Sequence, residues 1–141
     1  MKKKILIVDD EVGIVKLLSL RLKAKGYEVC EAYNGLECLN VAEEEIPDLI
    51  LLDIKMPVMG GLDSFEKLLQ LDITKKIPVI FMTAFPKKEV KNRAMFLGAK
   101  GFISKPFISK DLEIIIKNVI NGYDFYEYHK IDENAYYNIS N

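Results

Sequence analysis

The chain has 141 residues, half of them apolar, and a formal net charge of −1 at pH 7. That length suits one domain able to bury its own core, and the charge balance excludes a general electrostatic pull toward nucleic acid or anionic lipid. The apolar run Ile5 to Val8 behind Lys2 to Lys4 is too short for a signal peptide, and no window approaches the roughly 18 apolar residues of a membrane span, so a cytoplasmic location is expected.

In chain order, short apolar runs alternate with stretches of helical period. A first strand, Ile5 to Val8, ends in the acids of "ILIVDDE" and leads into a helix whose inner face carries Val15, Leu18 and Leu22. Tyr27 to Ala32 is the second strand, followed by a weaker helical pattern near Leu36 to Glu44. Asp48 to Leu52 is the third, with Leu62, Phe65 and Leu69 on the helix after it. Pro78 to Met82 is the fourth, followed by Val90, Ala94 and Leu97. Gly101 to Ser104 is the fifth, and its helix is the clearest: Leu112, Ile115, Ile116, Val119 and Ile120 line one face, with Ser109 as N-cap and Gly122 as stop. Five βα units result. Runs such as "LILL" and "VIFM" are apolar without alternation, as strands are when helices cover both faces, so the fold class is α/β with a doubly wound parallel sheet. Cys30 and Cys38 lack C-x-x-C spacing and are expected to act as small buried hydrophobes.

In such sheets functional groups gather at the carboxyl ends of the strands. Asp9 and Asp10 end the first, Asp53 the third and Thr83 the fourth, while Lys105 and Pro106 follow the fifth. Neither G-x-G-x-x-G nor G-x-x-x-x-G-K-[ST] occurs, which argues against a dinucleotide or nucleoside triphosphate site. Three converging carboxylates are oxygen ligands suited to Mg²⁺. With that cation to offset their charge, one carboxylate can attack phosphorus while Lys105 and the Thr83 hydroxyl hold the transferred oxygens, so the chemistry implied is phosphoryl transfer to an aspartate.

The segments "ILIVDDE", "LILLDIKMPVMGGLD", "IPVIFMTA" and "LGAKGFISKPF" resemble the signature segments of the response regulator receiver domain of two-component signalling, over about residues 3 to 121. The resemblance implies a flavodoxin-like (βα)5 fold with five strands in the order 2-1-3-4-5, and residues 1–122 as the receiver. It implies Asp53 as phospho-acceptor, and Asp9, Asp10, Asp53 and the backbone carbonyl of Lys55 as the Mg²⁺ ligands. Thr83 and Lys105 would act on the phosphoryl group, Thr83 and Phe102 would form the switch, and the Lys105–Pro106 bond would be cis. Lys55 and Phe85 match the positions that time self-dephosphorylation. The implied partners are a histidine kinase or histidine phosphotransfer protein and a downstream effector protein, with no direct contact to nucleic acid or membrane. Such a receiver is a signalling module that catalyses only its own phosphorylation and dephosphorylation. Two positions depart from the family's pattern: Gly60 replaces a more usual acid or polar residue in a turn, and Phe102 brings no hydroxyl to the switch.

The remaining residues, 123–141, contain five of the seven tyrosines and the single His129 but no core-facing period. They are expected to form a loosely ordered or docking tail, with no output domain and no site at His129. The alternative reading is an aspartate-nucleophile phosphatase of the haloacid dehalogenase type using Asp9. That family's nucleophile sits in an Asp-x-Asp spacing, where this chain has Glu11 in the second place.

Overall fold

The structure is a computed structural model that describes residues 2–84, 86–123, 126–130 and 136–140. Five helices alternate with the first five strands: β1 (Lys4–Val8), α1 (Val12–Ala24), β2 (Glu28–Ala32), α2 (Gly35–Glu45), β3 (Leu49–Asp53), α3 (Gly61–Gln70), β4 (Val79–Thr83), α4 (Lys88–Phe96), β5 (Gly101–Ser104) and α5 (Ser109–Ile120). These five strands are parallel and lie in the order 2-1-3-4-5. The chain divides into two compact units, residues 1–79 and 80–141. No helix among the described residues is long and apolar enough to cross a membrane.

In the first unit the apolar runs become the deepest layer. Ile5 to Val8 on β1 and Leu49 to Leu52 on β3 are all 0% exposed, and each such side chain contributes roughly 2 kcal/mol by leaving water. β1 pairs with both β2 and β3, which makes it the central strand here. Helix α1 buries Val15, Leu18 and Leu22 as the sequence indicates. A polar tie fixes it to β2, where Glu31 accepts hydrogen bonds from Lys16 Nζ at 2.6 Å, Ser19 Oγ at 2.6 Å and Tyr33 Oη at 3.1 Å. Burial pushes the Glu31 carboxyl up, but these three bonds outweigh it and hold the group below the ordinary carboxylate value.

Helix α3 departs from the expected phase. Its buried face is Gly61, Ser64, Phe65 and Leu68, while Leu62 and Leu69 are only half-buried. The physical reason is Ser64, whose hydroxyl is satisfied inside the protein and so occupies a place an apolar count assigns to leucine. Cys38 is buried and Cys30 half-buried, and burial pushes their thiols up to about 12 and about 11.

In the second unit β4 and β5 pair in parallel, with Phe81 opposite Phe102. Helix α5 buries Leu112, Ile115, Ile116 and Val119. Its N-cap residue is Ile108, which has no side-chain cap, and Ser109 is instead the first helical residue, a correction to its expected role. The stop at Gly122 stands: its φ is +86°, its N–H donates to Val119 C=O at 3.0 Å, and that of Tyr123 donates to Asn118 C=O at 3.2 Å. This is the reciprocal pair of a Schellman motif, which needs a left-handed residue. On α4 only Ala94 is fully buried, while Val90 and Leu97 are half-buried.

The tail adds backbone pairing to the sheet. Residues 126–130 and 136–140 form β6 (Tyr126–Lys130) and β7 (Tyr136–Ser140), the first parallel to β5 and the second antiparallel to β6, giving a sheet of seven strands. Edge pairing of this kind is made by backbone groups, which a search for core-facing side chains does not register.

Among the described residues two β-branched ones have positive φ, Ile46 at +43° and Val58 at +70°. At Val58 the N–H of Met59 donates to the Pro57 carbonyl at 2.7 Å, so a β-branched residue stands at the centre of a positive-φ γ-turn. Val58 is 78% exposed, so its side chain offers little burial in return. Replacing it with glycine is expected to release roughly 2 kcal/mol of strain against ~1 kcal/mol of lost chain entropy. Denaturant titration of Val58→Gly should therefore show a higher midpoint at unchanged slope, whereas Val58→Ala, which keeps its Cβ, should gain far less.

Candidate functional site

The acidic centre is built at the ends of two adjacent strands of the first unit. Chain direction after β1 is set by the Asp9 N–H, which still donates to Ala32 C=O at 3.3 Å, and by Asp9 Oδ1, which accepts from the Glu11 N–H at 3.0 Å. This short side-chain turn leaves Asp9 wholly buried and Asp10 exposed as α1 begins. Asp53 is the last residue of β3, is 7% exposed, and accepts from the Ile54 N–H through Oδ1 at 2.9 Å. One carboxylate oxygen from each of Asp9, Asp10 and Asp53 lies within 4.8 Å of the others. Among the described residues, these acids therefore meet as the sequence indicates.

Three carboxylates at that separation repel, and two of them are shielded from water, so the arrangement favours a bound cation. An all-oxygen donor set with one exposed member fits a small hard divalent ion that keeps several of its waters. Lys55, whose carbonyl was expected to join the set, lies in the exposed loop immediately beyond Asp53.

That loop, residues 54–60, is closed at its base by the Gly61 N–H donating to Ile54 C=O at 2.8 Å. Gly61 sits directly against the Asp53 carbonyl, where an added Cβ would collide with backbone. Glycine is required for this close approach, and it determines where α3 starts relative to Asp53. Gly60, the N-cap residue of α3, makes no side-chain cap bond. The role of Gly61 was missed in the sequence, although two adjacent glycines between an acid-ended strand and a helix are a recognisable mark of tight backbone approach.

In the second unit Thr83 ends β4, 3% exposed, in register with Ser104. The Lys105 N–H donates to the Thr83 carbonyl at 2.7 Å, which places these two expected site residues side by side. Lys105 is half-buried and its bond to Pro106 is cis. Phe102 is 0% exposed, so the ring expected to form the switch with Thr83 lies inside the protein. Phe85 lies outside the described residues, as do the side chain of His129 and residues 124–125, 131–135 and 141 of the tail.

Comparison with known proteins agrees with this layout. The family model of the response regulator receiver domain matches residues 5–117. The chain is 38% identical over 120 residues to the alkaline phosphatase synthesis transcriptional regulatory protein PhoP of Bacillus subtilis, a match spanning 85% of this chain and 49% of that protein. It is 37% identical over 120 residues to sporulation initiation phosphotransferase F of Bacillus subtilis, spanning 85% of this chain and 95% of that one. The chain thus spans about half the length of the transcriptional regulator but nearly all of the phosphotransferase. Among solved structures, a CheY-like response regulator receiver domain protein from Methanospirillum hungatei superposes with a TM-score of 0.81 at 34% identity, covering 86% of this chain and 95% of the other.

Because the carboxylates repel, removing one charge should stabilise the metal-free protein. Asp10→Asn in the presence of a chelator is expected to raise the unfolding free energy by up to about 1 kcal/mol, since the exposed member of the cluster is partly screened. Thermal unfolding of both proteins checks this, with a lower melting temperature for the variant as the contrary result.

Proposed function

The chain belongs to the response regulator receiver domain family of two-component signalling, and on that premise we propose that Asp53 accepts a phosphoryl group from a phosphohistidine. The donor is a histidine kinase or a histidine phosphotransfer protein, and the modified surface then binds a downstream effector protein. The reading places this in the cytoplasm, without direct contact to nucleic acid or membrane. The observation that carries the proposal is Asp53 itself: a nearly buried carboxylate ending β3, in one cluster with Asp9 and Asp10.

Asp53 attacks phosphorus with a carboxylate oxygen, forming a P–O bond as the donor's P–N bond breaks, and the imidazole leaves with the bonding pair and takes up a proton. Mg²⁺, held by Asp9, Asp10, Asp53 and the carbonyl of Lys55, would neutralise charge on the reacting oxygens. By family resemblance the Lys105 ammonium pairs with the phosphoryl oxygens and the Thr83 hydroxyl donates to one of them. Thr83 and Phe102 form the switch. Since Phe102 is already inside, the signal is a redistribution of space around a buried ring as Thr83 moves. The added charge of about −1.5 to −2 then alters what the surface will bind. The domain catalyses only its own phosphorylation and dephosphorylation. The relative named a phosphotransferase supports onward transfer from Asp53 as one way of passing the signal.

Treatment with acetyl phosphate and Mg²⁺ is expected to add one phosphate, located on Asp53 by mass spectrometry after borohydride trapping. Equal labelling of Asp53→Asn overturns the assignment, and a label on Asp9 favours the phosphatase reading instead.

Lifetime is set by the water that attacks the phosphoryl group. Lys55 carries a cationic side chain that cannot serve as a base, and Phe85 has no group to orient a water. Self-dephosphorylation is expected to be about tenfold slower than with an amide and an acid at these positions, equivalent to ~1.4 kcal/mol of barrier. The double variant Lys55→Asn with Phe85→Glu should release phosphate faster at saturating Mg²⁺, and an unchanged rate would remove both residues from timing.

A further inference from the structure

The acceptor loop is held from a side on which no site residue was expected. Gly35 is the first residue of α2, whose start is capped by Asn34 accepting from the Glu37 N–H at 2.9 Å. The N–H groups of a helix's first turn have no intrahelical partner, and that of Gly35 donates across to the Met59 carbonyl at 2.9 Å. A Cβ on Gly35 would run into the Met59 carbonyl and side chain, so the turn and the loop meet backbone to backbone. On its other side the Gly35 carbonyl accepts from Ser64 Oγ at 2.9 Å, a buried bond spanning 29 residues, and Ser64 is 0% exposed.

The contacts close a ring. Gly61 abuts the Asp53 carbonyl and starts α3; Ser64, one turn further on, grips Gly35; Gly35 grips Met59; and Met59 leads back through Gly60 to Gly61. The strained γ-turn at Val58 adjoins this ring, immediately before Met59. Unfavourable backbone geometry persists only where the surroundings over-determine it, so the strain is an independent sign that Met59 is held firmly from outside the loop.

We infer that Ser64 is a positioning residue for the candidate metal centre: by fixing Gly35 against Met59 it holds loop 54–60, and so the Lys55 carbonyl, in its ligating arrangement. The inference rests on the reading of the site as a Mg²⁺-dependent phosphoryl acceptor and adds to it an outer support on α3. Partners that orient a ligand without touching the metal commonly change metal affinity by about tenfold or more.

Thr74 supplies the control. Its Oγ1 donates to Leu68 C=O at 2.7 Å, and it is 1% exposed, so it makes the same kind of buried hydroxyl-to-carbonyl bond beyond the far end of the same helix. Loss of either hydroxyl should lower stability, but only loss of Ser64 should reach the loop. Mg²⁺ affinity is measured by calorimetry on the full chain, and amide hydrogen exchange on the same proteins without metal. Ser64→Ala is expected to weaken Mg²⁺ about tenfold and to speed exchange at the Gly35 N–H, while Thr74→Val leaves both within twofold of wild type. A Mg²⁺ affinity unchanged in Ser64→Ala, or weakened equally in Thr74→Val, overturns the positioning role while leaving the metal reading intact. Failure of the wild-type chain to bind Mg²⁺ defeats that reading and the inference together. Should Ser64→Ala not fold, wild-type exchange decides: a protected Gly35 N–H supports the latch, and free-peptide exchange there overturns it.

Discussion

Mutual repulsion among Asp9, Asp10 and Asp53 is the constraint around which the acidic edge is organised. Carboxylates normally relieve such crowding by turning outward into water. Asp9 and Asp53 have little freedom to do so, because they continue strands whose preceding four residues are all 0% exposed. The apolar strands act as rigid stems: moving either acid outward would drag leucine and isoleucine side chains from the core, at roughly 2 kcal/mol each. A carboxylate held in that way is a poor device for stability, and it suits the cation and phosphoryl binding proposed for this edge.

The loop after Asp53 carries costs of the same kind. Val58 is strained, and Gly60 and Gly61 lose more chain entropy on folding than residues with side chains would. All of this falls between residues 53 and 61, against a core that is otherwise closely filled. Folding alone would be better served by a longer loop with a relaxed turn. Under the proposed function, the tight version would present the Lys55 carbonyl beside the Asp53 carboxylate more consistently than a mobile loop could. The proposed function would draw on the least stable part of the unit, and the buried strands supply the excess that makes this tolerable.

The sequence made the fold legible where side-chain chemistry alone decides it. "LILL" and "VIFM" have no polar alternation because both faces of each strand are covered, and α5 shows its period without interruption. The apolar runs place β3 and β4 one residue early, and the shift brings Asp53 and Thr83, expected at the ends of those strands, into the strands themselves. Helix α3 was misread in phase because Ser64, polar by composition, is internal by virtue of a hydrogen bond to a residue 29 positions away. The pairing of β6 and β7 was missed for a related reason, since backbone ladders can form without a core-facing pattern. At the candidate site, the meeting of the three acids and the placing of Thr83 beside Lys105 were legible because those residues stand at strand ends. The support given by Gly35, Met59 and Ser64 was not, because both of its bonds end on main-chain acceptors that every residue possesses.

Ser64 shows why this kind of support is hard to replace. An alanine there would cost little in packing, and by area alone the buried hydroxyl is no better than a methyl group. The two differ in direction: a methyl contact holds its neighbour anywhere within a shallow well, whereas an O–H···O=C bond weakens steeply as its angle departs from linear. Helix α3 cannot slide without stretching the Ser64 bond to Gly35, and Gly35 cannot shift without disturbing its own bond to Met59. Met59 in turn is bound into the strained turn at Val58. A chain of directional contacts thus transmits the position of a rigid helix to a loop that has no secondary structure of its own. On the role inferred for Ser64, a carbonyl on an exposed loop would in this way acquire the precision of a side chain mounted on a strand.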